Sequence, residues 1–266
     1  MIDLEKSPLV IYKAVKDLPY KEDDVGESGS TILLFDDMVL KIEKSSPQAD
    51  NEHGVMQWLG DKLPVPKVIA FAKENGYNYL LMSRLVGEMS CSDHSLQTAE
   101  KTILALADGL KMLWSVDIGD CPYINNLDVK LNNAKYNIDN DLVDTDDFNE
   151  DTLGEGGFKD VDELYDFLLN NRPKEDLVLS HGDYCLPNIF LKDGKISGFL
   201  DLGKTGIADR WQDIALCVRS LKYNICDLFG LDESDYRKYK AMFYSRLGIE
   251  EDEQKLRYYI LLDELF

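Results

Sequence analysis

Short alternating apolar runs occupy the first part of the chain, and longer helical spacing takes over afterwards. Two apolar runs, 30–35 and 38–42, flank Asp36-Asp37, and the pattern predicts a β-hairpin turned at those aspartates. A helix is expected over about 49–62, closed by Pro64 and Pro66. Two more strands, 67–72 and 77–82, are joined by Asn75-Gly76, a pair suited to a tight turn. From 98 to 116 the residues Ile103, Leu106, Leu110 and Leu113 recur at helical spacing. Further helices are expected near 127–140 and 161–170. A short strand over 177–179 runs into a loop, and 189–191 with 195–200 form a second hairpin about Asp193-Gly194. Helices fill the rest. The pattern is that of an α+β protein, with a small β-rich lobe over 1–83 and a larger, mainly helical lobe over 84–266.

The loop after the strand at 177–179 carries the strongest chemical signal. It reads His181-Gly182-Asp183-Tyr184-Cys185-Leu186-Pro187-Asn188. An Asp followed five positions later by an Asn has the spacing of the protein-kinase catalytic loop, H-R-D-x-x-x-x-N, with Gly in place of Arg. One carboxylate there meets a substrate hydroxyl and accepts its proton, while one neutral oxygen holds a magnesium ion nearby. Asp201-Leu202-Gly203 follows the second hairpin, where a D-F-G element would stand, and Asp201 is the second candidate magnesium ligand. Either motif alone is weak; their spacing with a hairpin between them is specific. His181 is expected to support the loop rather than act as a base. Cys185 reads as a packing residue whose reactivity depends on its exposure.

Upstream, Lys41 closes the apolar run Met38-Val39-Leu40-Lys41-Ile42. A Lys so placed can reach nucleotide phosphates, with Glu52 on the next helix to hold it; an ordinary strand-end lysine is the alternative. Gly26-Glu27-Ser28-Gly29-Ser30 precedes the first hairpin, and its small residues allow close approach of backbone N–H groups to phosphate, or simply a flexible turn. No Walker A pattern is present.

Charge narrows the partners. The 266 residues carry 29 Lys and Arg against 50 Asp and Glu, a net charge of −21. Such a chain is not expected to bind nucleic acid or an anionic membrane, and its field attracts cations. No run is long enough to span a bilayer, and Met1 to Lys6 has no basic leader, so no signal peptide is expected. Five cysteines without a C-x-x-C pair point to a reduced, cytoplasmic protein without structural zinc.

At these residues the sequence resembles the aminoglycoside 3'-phosphotransferases. The resemblance rests on His181 to Asn188, on Ser197-Gly198-Phe199-Leu200-Asp201-Leu202-Gly203, on 206–215, and on the terminal Leu261-Leu262-Asp263-Glu264-Leu265-Phe266, with support from 63–66 and Cys121-Pro122-Tyr123. It runs from about Gly26 to the end of the chain. It implies a bilobal protein-kinase-like fold, ATP and Mg2+, and phosphorylation of a sugar hydroxyl. By position, Asp183 would be catalytic, and Asn188 and Asp201 would hold the metal. Lys41, paired with Glu52, would contact the phosphates, and Ser28 would lie in the loop above them. Adenine would sit near Val39, the connection from Met82 to Arg84, and Phe190. Family members often place an aromatic where Val39 stands.

The cationic substrate would meet Asp147 and Glu150 in an acidic loop, together with Arg219, Asp263, Glu264 and the carboxylate of Phe266. The alternative for Asp147 and Glu150 is a solvated acidic loop. H-G-D-x-x-x-x-N is shared with choline, homoserine and macrolide kinases, so a kinase of another small hydroxylated metabolite is the first alternative. A non-catalytic nucleotide-binding module is the second, opposed by intact Asp183, Asn188, Asp201 and Lys41.

Overall fold

The computed structural model describes residues 4–23, 30–149, 151–154 and 156–266. Ser28 and Glu150 lie outside the described residues, as does the side chain of Asp147. The first α-helix, α1 (Leu9–Val15), is one that the apolar pattern did not suggest. Strands β1 (Lys21–Asp23), β2 (Thr31–Leu34) and β3 (Met38–Lys44) follow, then helix α2 (Pro47–Leu59) and strands β4 (Val68–Glu74) and β5 (Tyr77–Ser83). The five strands form one antiparallel sheet in the order β1-β2-β3-β5-β4.

Local chemistry fixes these boundaries. Asp36 and Asp37 make the first turn, closed by the Phe35 N–H donating to the Met38 carbonyl at 2.9 Å. Asn75 and Gly76 both take positive φ, 53° and 79°, as a two-residue hairpin turn requires. α2 starts two residues earlier than its apolar spacing suggests. Ser46 caps it by accepting from the Ala49 N–H at 3.1 Å, and Pro47 occupies its first turn. Side chains alternate across the sheet. One face buries Leu33, Leu40, Ile42 and Leu81 under Ile11 and Val15 of α1. The other presents Leu80 and Met82 to Val55, Met56 and Leu59 of α2, and this core continues into the second half of the chain.

That half is mainly helical. In order it holds β6 (Glu88–Met89), α3 (Asp93–Gln97), α4 (Ala99–Trp114), α5 (Leu127–Asp139), α6 (Val161–Asn170), β7 (Leu177–Ser180), β8 (Ile189–Lys192), β9 (Lys195–Phe199), β10 (Gly206–Asp209), α7 (Arg210–Lys222), α8 (Glu233–Leu247) and α9 (Glu253–Asp263). Two small antiparallel sheets, β6-β8-β9 and β10-β7, carry the connecting loops. In α4 the four residues singled out by spacing are at most 1% exposed. The same helix supports the loop after β7: Tyr184 donates its hydroxyl to the Leu106 carbonyl at 2.8 Å. Gly109 makes room for that ring, since a Cβ there would meet the Tyr184 hydroxyl at 2.2 Å. No helix among the described residues is long and apolar enough to cross a membrane.

Candidate active site

β7 ends at Ser180, whose register partner is Gly206 of β10, and the loop 181–188 leaves from that anchored edge. Its backbone is held from below by Asp213, in the first turn of α7. Asp213 is fully buried and accepts the His181 N–H at 2.8 Å through one carboxylate oxygen and the Gly182 N–H at 2.9 Å through the other. Burial pushes its carboxyl up, and His181 with the two backbone donors pulls against that. Gly182 takes φ +85°, and a Cβ would meet the Lys204 carbonyl oxygen at 2.1 Å. Glycine stands where the protein-kinase pattern has arginine because no side chain fits. His181 is buried against the rings of Tyr184 and Phe199 and accepts from the Asp183 N–H at 3.3 Å, a supporting role as expected.

The two carboxylate oxygens of Asp183 have separate donors. Cys185 Sγ lies 3.2 Å from Oδ1, and Asn188 Nδ2 lies 3.0 Å from Oδ2 and 3.0 Å from the Asp183 carbonyl. These contacts aim the carboxylate. Burial, reinforced by the Asp183 charge, pushes the Cys185 thiol well up, so it is a neutral donor and not a reactive thiolate. With Nδ2 committed to Asp183, the Asn188 oxygen is the atom available to a cation.

Lys41 sits in the middle of β3, not at its end as the apolar run suggested. Its Nζ donates to Glu52 Oε2 at 2.8 Å and Asp201 Oδ1 at 3.0 Å, with Glu43 at 3.6 Å. Burial alone would lower the ammonium's pKa, but Glu52, Asp201 and Glu43 outweigh it and hold the charge firmly. Burial pushes the Glu52 carboxyl up, against the pull of Lys41. Asp201 adopts φ 52°, which turns the chain so that its half-exposed carboxylate reaches Lys41. Asn188 and Asp201 offer oxygen only, the donor type that suits magnesium. Among the described residues no three His, Cys, Asp or Glu gather to hold a metal unaided, so other oxygens must complete any shell.

Of the residues expected near adenine, Val39 and Met82 are register partners on β3 and β5. Arg84 folds back, donating through Nη1 to the Phe35 carbonyl at 3.3 Å. Phe190, half-buried on β8, pairs with Met89 just past the connection.

The substrate candidates separate into two groups. Arg219 Nη2 and Asp263 Oδ2 are 2.5 Å apart, and the charge of Asp183 acts on that guanidinium. Asp263 and Phe266 line a cavity of about 340 Å³ with Lys130, Asn133, Asn125, Asn51 and Lys204. Glu264 instead accepts from the backbone and side-chain amides of Asn149, which draws the acidic loop onto the chain end. Among the described residues Asp263 is the one acidic side chain that lines the cavity. The nearby acids have local work: Asp139 pairs with Lys135, Asp144 caps a short turn, and Asp151 pairs with Arg257.

Two site residues escaped the sequence reading. Asp213 was readable as a lone carboxylate heading the apolar run 214–218. Lys130 falls on the buried stripe of α5 with Leu127, Leu131 and Ala134, and a lysine in that register is the signal.

The phosphotransferase enzyme family matches residues 20–254. An aminoglycoside 3'-phosphotransferase from Enterococcus faecalis is 42% identical over 263 residues, spanning 98% of this chain and 90% of its own. One from Staphylococcus aureus is 42% identical over 262 residues, spanning 96% of this chain and 94% of its own. The crystal structure of a type VIII aminoglycoside-3'-phosphotransferase superposes with a TM-score of 0.81 at 26% identity, covering 96% of this chain and 97% of that one.

Proposed function

Because this chain belongs to the aminoglycoside 3'-phosphotransferases of the phosphotransferase enzyme family, we propose that it transfers the γ-phosphate of ATP to the 3'-hydroxyl of an aminoglycoside and so confers resistance. One observation carries the mechanism: Asp183 is aimed by donors on both oxygens, in a loop whose backbone Asp213 clamps. Asp183 accepts a hydrogen bond from the substrate hydroxyl, orients it toward the γ-phosphorus, and takes its proton as the new oxygen–phosphorus bond forms and the bond to the ADP leaving group breaks. In a loose transition state this positioning supplies most of the rate. Lys41, held by Glu52, reaches the nucleotide phosphates from β3. Asn188 and Asp201 would hold Mg2+, which when bound offsets charge on the β- and γ-phosphates.

The lobe over 1–83 is then the nucleotide-binding part, with Val39, Met82, Arg84 and Phe190 around adenine and Ser28 above the phosphates. The lobe over 84–266 holds the aminoglycoside, between Arg219, Asp263 and Phe266 on one side and the loop with Asp147 and Glu150, drawn in through Glu264, on the other. All five cysteines are free, which suits the cytoplasm, where ATP is found. The test is incubation with ATP, magnesium and a panel of aminoglycosides, with the phosphate located by NMR. A phosphorylated 3' position supports the reading. Turnover of choline, homoserine or a macrolide with none of any aminoglycoside overturns it.

A further inference from the structure

Lys130 is the unusual residue of the cavity. Its side chain is only 5% exposed, yet among the described residues it makes no hydrogen bond and no ion pair; its Nζ lies 5.6 Å from the centre of the Phe266 ring. The charged groups that act on it are Asp263 of α9, Lys204 in the turn after β9, Asp213 of α7 and Asp183 of the catalytic loop. Each of those carboxylates is already engaged: Asp263 by Arg219, Asp213 by two backbone N–H groups, Asp183 by Cys185 and Asn188. Lys204 adds a like charge. An ammonium that faces the cavity with no acceptor from the described residues is free to bond a ligand oxygen that enters there.

We infer that Lys130 determines specificity, selecting substrates that bring a hydroxyl or ether oxygen, rather than an ammonium, into its corner of the cavity. This rests on the aminoglycoside reading above. A hydroxyl both accepts and donates, so it can take a hydrogen bond from Nζ and pass its own to the amides of Asn125 or Asn133 that line the same cavity. A substrate ammonium has no acceptor to offer and repels Nζ at short range, with little water between them to screen the charges. Burial, the largest cause, lowers the lysine's pKa to about 8, which leaves it mostly charged at neutral pH and able to act in both ways. The neutral amides serve the rest of the ring, and the cations beside Asp263 explain why this wall is not the acidic one that a polycationic drug alone would favour.

The experiment compares matched drugs that differ by one amine or hydroxyl: neomycin B with paromomycin at the 6' position, and kanamycin B with kanamycin A at the 2' position. Steady-state kcat/KM and calorimetric binding are measured for the native protein, Lys130→Met and Lys130→Arg at pH 7. In at least one pair the native protein should favour the hydroxyl member by about tenfold. Lys130→Met should narrow that ratio to under about threefold by improving the amine member, and Lys130→Arg should keep it. A native protein with no hydroxyl preference in either pair overturns the inference, whatever the variants do. So does an unchanged ratio in folded Lys130→Met. Turnover of no aminoglycoside at all sinks the functional reading and this inference together, whereas turnover without the preference sinks this inference alone.

Discussion

Replacing Gly182 by Ala tests the packing beneath Asp183. The added Cβ would stand 2.1 Å from the Lys204 carbonyl oxygen and 2.6 Å from its carbon, where ordinary contact begins at 3.4 Å. The carbonyl must therefore retreat by more than an ångström, and it is not free to do so, because Asn125 Nδ2 donates to it at 2.7 Å. Holding a non-glycine residue at positive φ costs about 1–2 kcal/mol. Losing the Asn125 bond costs about 1 kcal/mol, and overpacking about 1–3 kcal/mol more. Together these amount to roughly 3–6 kcal/mol, a drop of about 10 °C in Tm for a chain of this size. Thermal unfolding followed by circular dichroism measures it. If the loop escapes by shifting instead, Asp183 moves with it, and kcat should fall by about 10²-fold while KM for ATP changes little, since Lys41 and Glu52 stand on other elements. A variant with Tm within ~2 °C of native and kcat within about a factor of two would refute the reasoning.

Asp183→Ala should lower kcat by about 10²–10⁴-fold and leave nucleotide affinity nearly native; a folded variant with native turnover removes Asp183 from catalysis. Lys41→Met should raise KM for ATP by about tenfold or more, the aminoglycoside KM moving less, because a charge held by Glu52 and Asp201 is lost. Deleting Phe266 alone should raise the aminoglycoside KM and leave MgATP binding intact by calorimetry. The single deletion spares Leu265, which is buried and whose carbonyl accepts from Asn137 at 2.9 Å. For Lys130, whose pKa falls from 10.5 to about 8, the unfolded chain keeps a proton that the folded chain has released between those values. Stability to urea should therefore rise with pH across that window by up to about 3 kcal/mol relative to Lys130→Met. Parallel curves for the two proteins would contradict the burial of a charged lysine.

The elements that the sequence made legible are those with local causes. Asn75-Gly76 had to turn, Ile103 to Leu113 had to face a core, and the Asp183–Asn188 spacing had to serve one loop. α1 was missed because it is only seven residues long and its buried side, Ile11 and Val15, is too sparse to show a period. β10 was missed because its pairing with β7 is long-range and nothing in Gly206 to Asp209 announces it. Asp213 and Lys130 look alike in sequence, each a charge on an apolar stripe. One became the fully bonded support of the loop 181–188 and the other lines a cavity. Only the surrounding elements distinguish them. The acidic balance could not place a site for the same reason: a net charge counts carboxylates without saying which ones already have local partners.

Helix α2 bears Glu52, and its neighbour Asn51 donates to the carbonyls of Gly203 at 2.8 Å and Thr205 at 3.3 Å. The approach is close, since a Cβ on Gly203 would come within 2.9 Å of the Gln48 carbonyl oxygen. The helix whose Glu52 holds Lys41 is thus stitched to the turn that follows Asp201. Swinging it outward would break both bonds and strand two carbonyls. In kinases that are switched on and off, moving this helix is one way to disassemble the lysine–glutamate pair. Here that pair is assembled, and the Asn51 bonds hold the helix in the position that assembles it. Any movement of α2 away from Asp201 therefore has to break the Asn51 bonds before it can part Lys41 from Glu52.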